Sequence, residues 1–244
     1  MREITFEITE NLPIAANVYR MRLVGDARDI TLPGQFVNIR LDGFFLRRPI
    51  SVCDRSADSL TIIYKTVGRG TESMSRMRAG ERLDILSGLG NGYDTSASGA
   101  RPLLIGGGVG VPPLYMLAKE LTSEGKKVCT VLGFNSACDV FYTKEFAELG
   151  CEVVVTTYDG SFGRRGFVTD ALPEDATYFY ACGPEPMLKA VYKATAIPGE
   201  FSFEERMGCG FGACMGCTCK TVTGSKRICK DGPVLKKEEI LWQI

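Results

Sequence analysis

Cys209, Cys214, Cys217 and Cys229 are residues of the type and spacing that ligate a metal centre. The first three follow C-x4-C-x2-C, and eleven residues separate Cys217 from Cys229. Thiolates so spaced, with a distal fourth, hold a [2Fe–2S] cluster. Gly208, Gly210, Gly212 and Gly216 lie among them, so the loop carries little side-chain bulk. Such a loop can point backbone N–H groups at a cluster and help set its potential. Zinc is the competing reading, because four thiolates suit it equally in softness. Zinc knuckles pair two C-x2-C units, and the single unit here favours iron–sulfur. The chain has no histidine, which excludes a Rieske centre and every Cys/His zinc site. Cys219, offset by one from Cys217, reads as a thiol in a strand rather than a ligand.

Further candidates lie upstream. Gly108-Val109-Gly110-Val111-Pro112-Pro113 reads G-x-G-x-x-P, with Pro113 suited to a first helical turn. Its glycines let backbone approach a pyrophosphate at a helix N-terminus, although alone the run is equally a tight strand-to-helix turn. Cys182-Gly183-Pro184-Glu185-Pro186-Met187 follows a second apolar strand, where a nicotinamide ring could lie. In Arg47-Arg48-Pro49-Ile50-Ser51-Val52, Arg48 could neutralise the pyrophosphate of a flavin dinucleotide, and Ser51 could meet the flavin N5/O4 edge. An edge strand with solvated arginines is the plain alternative. Gly68-Arg69-Gly70-Thr71, ahead of a helix, offers a second phosphate cradle.

These residues need elements to position them. Over 1–99 the segments Ile4-Thr5-Phe6-Glu7-Ile8, Val18-Tyr19-Arg20-Met21-Arg22-Leu23 and Phe36-Val37-Asn38-Ile39-Arg40-Leu41 alternate, and Leu60-Thr61-Ile62-Ile63-Tyr64-Lys65 is β-rich. Turn signals at Pro33-Gly34, Asp42-Gly43 and Gly80-Glu81 cut them into the short strands of a barrel or sandwich. One helix is expected over 71–77, with Thr71 as its N-cap. From Arg101 the pattern changes. Strands over 102–105, 127–132, 152–157 and 178–181 alternate with helices over 113–121, 143–149 and 186–193. That alternation predicts a doubly wound parallel sheet with its nucleotide at the C-terminal strand ends. The cysteine-rich tail is too small for an apolar core of its own, so a metal must supply much of its folding energy. The expected domains are 1–99, 100–199 and 200–244.

Composition excludes some classes of function. Lys+Arg and Asp+Glu are 29 each, which leaves no basic field for nucleic acid or anionic lipid. No apolar run reaches transmembrane length. Ten cysteines without an export signal before Met1-Arg2-Glu3 point to a reducing, cytoplasmic setting rather than a disulfide framework.

Taken together, the motifs resemble the ferredoxin reductase-like family, in which an FAD-binding β-barrel precedes an NAD(P)-binding α/β domain. Its flavin motif R-x-Y/F-S/T matches Arg48-Pro49-Ile50-Ser51, with Ile50 in place of the aromatic residue. With the cysteine tail added, the whole chain resembles the electron-transfer subunits of dihydroorotate dehydrogenase B. Their motifs R-R-P-I-S, G-G-G-x-G-V-P-P, C-G-x-G-A-C-x-x-C and V-C-x-D-G-P-V lie at 47–51, 106–113, 209–217 and 228–234, with Ile228 for the first valine of the last. Gly88 stands where a proline is common, before Gly90-Asn91-Gly92.

The resemblance implies an antiparallel barrel holding FAD through Arg48, Pro49, Ile50, Ser51, Ile63, Tyr64, Lys65, Gly70 and Thr71. It implies an α/β domain meeting NAD through Gly108, Gly110, Asp159, Gly160, Cys182, Gly183 and Pro184. The small C-terminal domain would hold the [2Fe–2S] cluster through Cys209, Cys214, Cys217 and Cys229. The implied activity is a relay in pyrimidine biosynthesis. An FMN-containing dihydroorotate dehydrogenase partner, in a hetero-oligomer of two of each chain, would pass electrons singly through the cluster to FAD and so to NAD+. Hydride transfer needs no general base, in keeping with the absence of histidine. An electron-input subunit of another complex, of the ferredoxin:NADP oxidoreductase or hydrogenase type, shares this domain order. A zinc-stabilised binding module is the non-enzymatic alternative. No arginine follows the second α/β strand in Gly133-Phe134-Asn135-Ser136 to pair with a 2′-phosphate, which favours NAD; Arg164 and Arg165 keep NADP open.

Overall fold

The computed structural model describes residues 1–242. Six strands close the N-terminal barrel: β1 (Arg2–Ala15), β2 (Val18–Val24), β3 (Phe36–Ile39), β4 (Arg48–Arg55), β5 (Ser59–Lys65) and β6 (Arg82–Leu89). They are hydrogen-bonded in the order β1-β2-β5-β4-β3-β6, and β6 pairs back onto β1. Alternation supplies the interior, because every second side chain points inward. Phe6 and Ile8, Met21 and Leu23, Leu60 and Ile62, and Leu83 and Ile85 fill it. The helix α1 (Arg69–Ser75) follows β5. It begins two residues before the expected start, with Gly68 rather than Thr71 at its cap. The Thr71 hydroxyl donates to the Gly68 carbonyl (3.1 Å) and accepts from the Val67 N–H (2.9 Å). It ties the incoming loop to the first turn instead of capping the helix from outside.

The α/β part comprises β7 (Pro102–Gly107), α2 (Pro113–Ser123), β8 (Cys129–Phe134), α3 (Thr143–Glu148), β9 (Glu152–Thr157), β10 (Arg164–Arg165), β11 (Tyr178–Cys182), α4 (Glu185–Ala194) and β12 (Gly199–Ser202). The tail adds β13 (Thr218–Thr221), β14 (Gly224–Arg227), α5 (Ile228–Asp231) and β15 (Val234–Lys236). The large sheet runs β10-β9-β8-β7-β11-β12-β15, parallel throughout except for β15. The chain leaves β7 first toward β8 on one side and later returns to β11 on the other. The reversal of strand order falls between β7 and β11, where open α/β sheets bind ligands. Arg164 and Arg165 form a two-residue edge strand with both residues exposed.

Two seams join the parts. Cys53 and Ile63 of the barrel are buried in one cluster with Val111, Leu114 and Tyr142 of the α/β part. Each large side chain so buried stabilises the seam by roughly 1.5–3 kcal/mol. The second seam fastens the tail. β12 crosses the boundary expected after residue 199, and β15 pairs with it through Glu200↔Lys236, Phe201↔Leu235 and Ser202↔Val234. Asn91 then clamps Val234 with both side-chain amide atoms, at 2.8 and 3.0 Å.

Candidate cofactor sites

The cysteine loop lies between β12 and β13, with its fourth cysteine on α5. Backbone at Gly210 (φ +80°) and Gly212 (φ +90°) is left-handed, and Met215 adopts φ +61°. This curl brings the sulfurs together in twos. Cys209 Sγ accepts N–H bonds from Ala213 (3.2 Å) and Cys214 (3.4 Å), and Cys214 Sγ accepts from the Cys209 N–H (3.4 Å). Cys217 Sγ accepts from the Cys229 N–H at 3.4 Å. Among the described residues, no three histidine, cysteine, aspartate or glutamate side chains are grouped so as to hold a single ion. Two pairs suit a two-iron cluster, which takes two thiolates on each iron. Added Cβ atoms would close this cradle: at Gly208 one would lie 3.1 Å from Cys214 Sγ, and at Gly212 one would lie 2.6 Å from Lys230 Cδ.

The electrostatics of the two pairs differ. Burial raises the Cys209 thiol, but the surrounding N–H groups of Cys214, Phe211 and Ala213 outweigh it and hold the thiol down at about 6. Burial, then the neighbouring Cys217 sulfur, pushes Cys229 up to about 12. Cys217 and Cys229 are 3% and 2% exposed, and the raised Cys229 thiol ionises only against a bound cation, which deprotonates coordinating thiols. Cys219 stands apart on β13, half-buried against the same apolar cluster, with its thiol raised by burial.

The barrel presents its flavin-motif strand to this loop. In the β3–β4 ladder Phe36 pairs with Ser51 and Asn38 with Pro49, so these four residues share one face. Phe36 packs in one cluster with Cys217, Ile228 and Cys229. Asn38 Nδ2 donates to the Cys209 carbonyl at 3.3 Å. Arg48 and Ile50 point the other way. The Arg48 guanidinium lies 4.9 Å from the centre of the Phe44 ring and covers Gly70 so closely that a Cβ there would sit 2.2 Å from Nε. The Arg48 motif and the Gly68–Thr71 cradle, far apart in sequence, therefore meet. Arg47 is a brace: it donates to the carbonyls of Asn38 (3.4 Å) and Asp84 (3.1 Å) and pairs with Glu3. Ile63 packs into the interdomain seam, while Tyr64 is 2% exposed inside the barrel with its hydroxyl donating to Asn11 Oδ1 (2.9 Å). Only the backbone of Tyr64 can meet a cofactor; Lys65 beside it is partly exposed.

At the reversal point the two glycine turns interlock. A Cβ on Gly110 would lie 2.2 Å from the Cys182 carbonyl oxygen, and one on Gly107 would lie 2.4 Å from Met187 Sδ. Gly108 (φ +52°) has open space beside it. Burial pushes the Cys182 thiol up to about 12, so it is neutral there. Asp159 and Gly160 lie beyond the end of β9, two strands from β7, or about 10 Å at ordinary strand spacing. Asp159 Oδ1 accepts from the Ser161 hydroxyl (2.6 Å) and N–H (2.9 Å), which hold its carboxyl below the usual range.

The iron–sulfur cluster binding domain of dihydroorotate dehydrogenase B matches residues 204–241, which include all four paired cysteines. The oxidoreductase NAD-binding domain matches residues 104–193. A dihydroorotate dehydrogenase B (NAD(+)) electron transfer subunit from Geobacillus sp. (strain WCH70) is 45% identical over 256 residues, 99% of each chain. This chain belongs to that family. The electron transfer subunit of Fusobacterium nucleatum is 44% identical over 96% of each chain. In structure, a chain of the NADH-dependent reduced ferredoxin–NADP oxidoreductase aligns with TM-score 0.88 and 32% identity, covering 97% of this chain and 90% of that one.

As a member of the electron transfer subunit family, the chain brings most of the motif residues into three neighbouring sites and adds some that the motifs omit. Asn38 and Asn91 carry the side-chain hydrogen bonds between barrel and tail. Their only sequence signal is a polar side chain where alternation calls for an outward-facing position, or one set between two glycines. Among the described residues no helix is long and apolar enough to cross a membrane.

Proposed function

We propose that this chain takes electrons one at a time from a dihydroorotate dehydrogenase catalytic subunit at a [2Fe–2S] cluster and delivers them through FAD to NAD+. When bound, FAD exchanges electron pairs with nicotinamide while the cluster passes single electrons, and these chemistries belong to the cofactors. The observation that carries the reading is the shared face. Ser51 and Pro49 of β4 lie on the side of the barrel against which the cysteine loop is held, through Asn38 and Phe36.

The residues have distinct tasks. Cys209 and Cys214 hold one iron, and Cys217 and Cys229 hold the other. Arg48, set over Gly70 and beside Thr71, neutralises the FAD pyrophosphate. Ser51 meets the edge of the flavin ring, Pro49 and the backbone of Ile50 shape its bed, and the backbone of Ile63, Tyr64 and Lys65 borders it. Gly108 and Gly110 admit the NAD pyrophosphate to the reversal point. Cys182, Gly183 and Pro184 bound the nicotinamide end. Asp159 and Gly160 receive the adenosine end, where an ionised carboxylate favours a ribose hydroxyl over a 2′-phosphate. These tasks divide over an FAD barrel at 1–99, an NAD domain at 100–199 and a cluster domain at 200–244 whose β15 locks onto the NAD sheet. The partner is the FMN-containing catalytic subunit, two of each chain forming the assembly in a reducing cytoplasm.

The test is reconstitution. Under anaerobic conditions, catalytic subunit plus this chain, dihydroorotate and NAD+ should form NADH. A rate no higher than that of the catalytic subunit alone would contradict the proposal. The likeness to the ferredoxin–NADP oxidoreductase chain favours a second reading, electron input to another complex. That reading predicts NADPH or ferredoxin turnover with no response to dihydroorotate.

A further inference from the structure

Tyr158 and Phe167 lie just beyond the C-terminal end of β9, on the side where an open parallel sheet receives its ligand. Each is 61% exposed, and their rings rest on each other with centres 5.5 Å apart and planes tilted by 42°. The loop that carries them is closed by its own bonds. The Tyr158 N–H donates to the Phe134 carbonyl at the end of β8 (3.0 Å), and the Thr157 hydroxyl donates to the Phe162 carbonyl (2.7 Å). The Gly166 N–H returns to the Thr157 carbonyl (3.0 Å), which brings Phe167 back beside Tyr158. The Phe167 N–H is then held by Asp170 Oδ2 at 2.8 Å. Two large rings fixed side by side in water form a flat apolar platform that needs no reorganisation to receive a third ring.

The order of the strands narrows the choice of that ring. The platform stands on β9, two strands from the Gly108 turn of β7, or about 10 Å at ordinary strand spacing. One ribose and its base bridge such a gap. Cys182 lies on β11, on the other side of β7, so a dinucleotide with its nicotinamide there extends its second half toward β8 and β9. We infer that Tyr158 and Phe167 are the seat of the adenine ring, and that through them the chain takes a dinucleotide in preference to a nicotinamide mononucleotide. This inference rests on the proposed course of NAD from Cys182 past Gly108 to Asp159. Stacking reads the face of a base and not its edge, so the seat accepts purines as a class. Selection for the ribose falls to Asp159, the next residue in the chain.

The experiment compares the FAD- and iron-loaded wild-type chain with Tyr158→Ala, Phe167→Ala and Tyr158→Trp. ADP-ribose binding is measured by calorimetry. Turnover is followed with NADH and with reduced nicotinamide mononucleotide, ferricyanide accepting the electrons. Each alanine variant should weaken ADP-ribose and raise KM for NADH about tenfold, the loss of one stacked base, with kcat unchanged. The mononucleotide has no adenine and should lose less than about twofold in kcat/KM. Tyr158→Trp keeps a ring and should hold ADP-ribose within about threefold of wild type. Unchanged ADP-ribose affinity in both alanine variants would overturn the inference, and turnover lost only with the catalytic subunit would then assign the rings to that partner. An equal loss with NADH and the mononucleotide would also overturn it, as the mark of a purely structural role. These outcomes leave the NAD site standing. Wild-type protein that oxidises neither NADH nor the mononucleotide would overturn the NAD reading itself.

Discussion

Arg48, Pro49, Ile50 and Ser51 lie on a strand bonded to β3 on one side and β5 on the other, inside a closed barrel. Cys209, Cys214 and Cys217 lie on a loop held by left-handed glycines, a few N–H···S contacts, one bond from Asn38 and one from Arg227 to the Gly212 carbonyl. The barrel site is built by ladder pairing and an apolar interior, so it stands ready before any cofactor arrives. The cysteine site is fastened at its ends, through β15 and Asn91, and left for the cluster to complete. The contrast explains why the tail carries so little apolar surface of its own.

The largest test of this contrast is removal of an inner ligand. Cys217→Ser should abolish bound iron and deprotect residues 203–231 to hydrogen exchange, since structural metals supply on the order of 10 kcal/mol in small metal domains. The barrel should keep FAD. Full protection of the loop without iron would erase the distinction between the two regions.

Next in size is the junction, where Glu200 of β12 faces Asp94, Lys236, Glu238 and the Tyr178 and Tyr180 hydroxyls. Burial is the first cause that raises its carboxyl from 4.5 to about 7. With the folded value above the unfolded one, its contribution is fully present below about pH 4.5 and is lost as pH rises through about 7, a swing of about 3 kcal/mol. Glu200→Gln should flatten that part of the pH profile in urea unfolding and make the protein more stable than wild type at pH about 8. A slope unchanged by the substitution would show that Glu200 does not titrate in this window.

Gly110→Ala separates the nucleotide site from both other regions. The new methyl would meet the Cys182 carbonyl oxygen at 2.2 Å. Overpacking of this kind costs about 1–3 kcal/mol and should raise KM for NADH about tenfold, with FAD and iron content unchanged. The smallest effect is expected at the preformed barrel. Arg48→Ala should weaken FAD about fivefold, as one exposed-edge charge contact is lost, with the tail as protected as in wild type. Loss of the cluster in Arg48→Ala would mean that the two sites are not built independently.

Much of this was legible in sequence because its signals are local. Alternation marked β1, β2 and β3, a β-rich run marked β5, the strand–helix rhythm marked the doubly wound sheet, and cysteine spacing marked the loop. β6 was not legible, since Ser87 and Gly88 interrupt the apolar rhythm of Leu83, Ile85 and Leu89. Thr71 misled as a cap because hydroxyls serve equally well inside a first turn, where it bonds Gly68. Tyr64 reads as a flavin contact in the motif, but strand parity turns its ring into the barrel. Asn38 and Asn91 act across 171 and 143 residues of chain, and no local pattern announces such contacts. Cysteine spacing likewise marks four candidate ligands, while their division into pairs emerges only from the folded loop.

The central claim is that the three sites form one conducting unit within this chain. Its most direct test is anaerobic addition of NADH to the FAD- and iron-loaded protein, with flavin absorbance and electron paramagnetic resonance followed together. The account predicts flavin bleaching and a [2Fe–2S] spin signal that the same protein stripped of FAD fails to develop. A bleached flavin beside a cluster that stays spin-silent would contradict it.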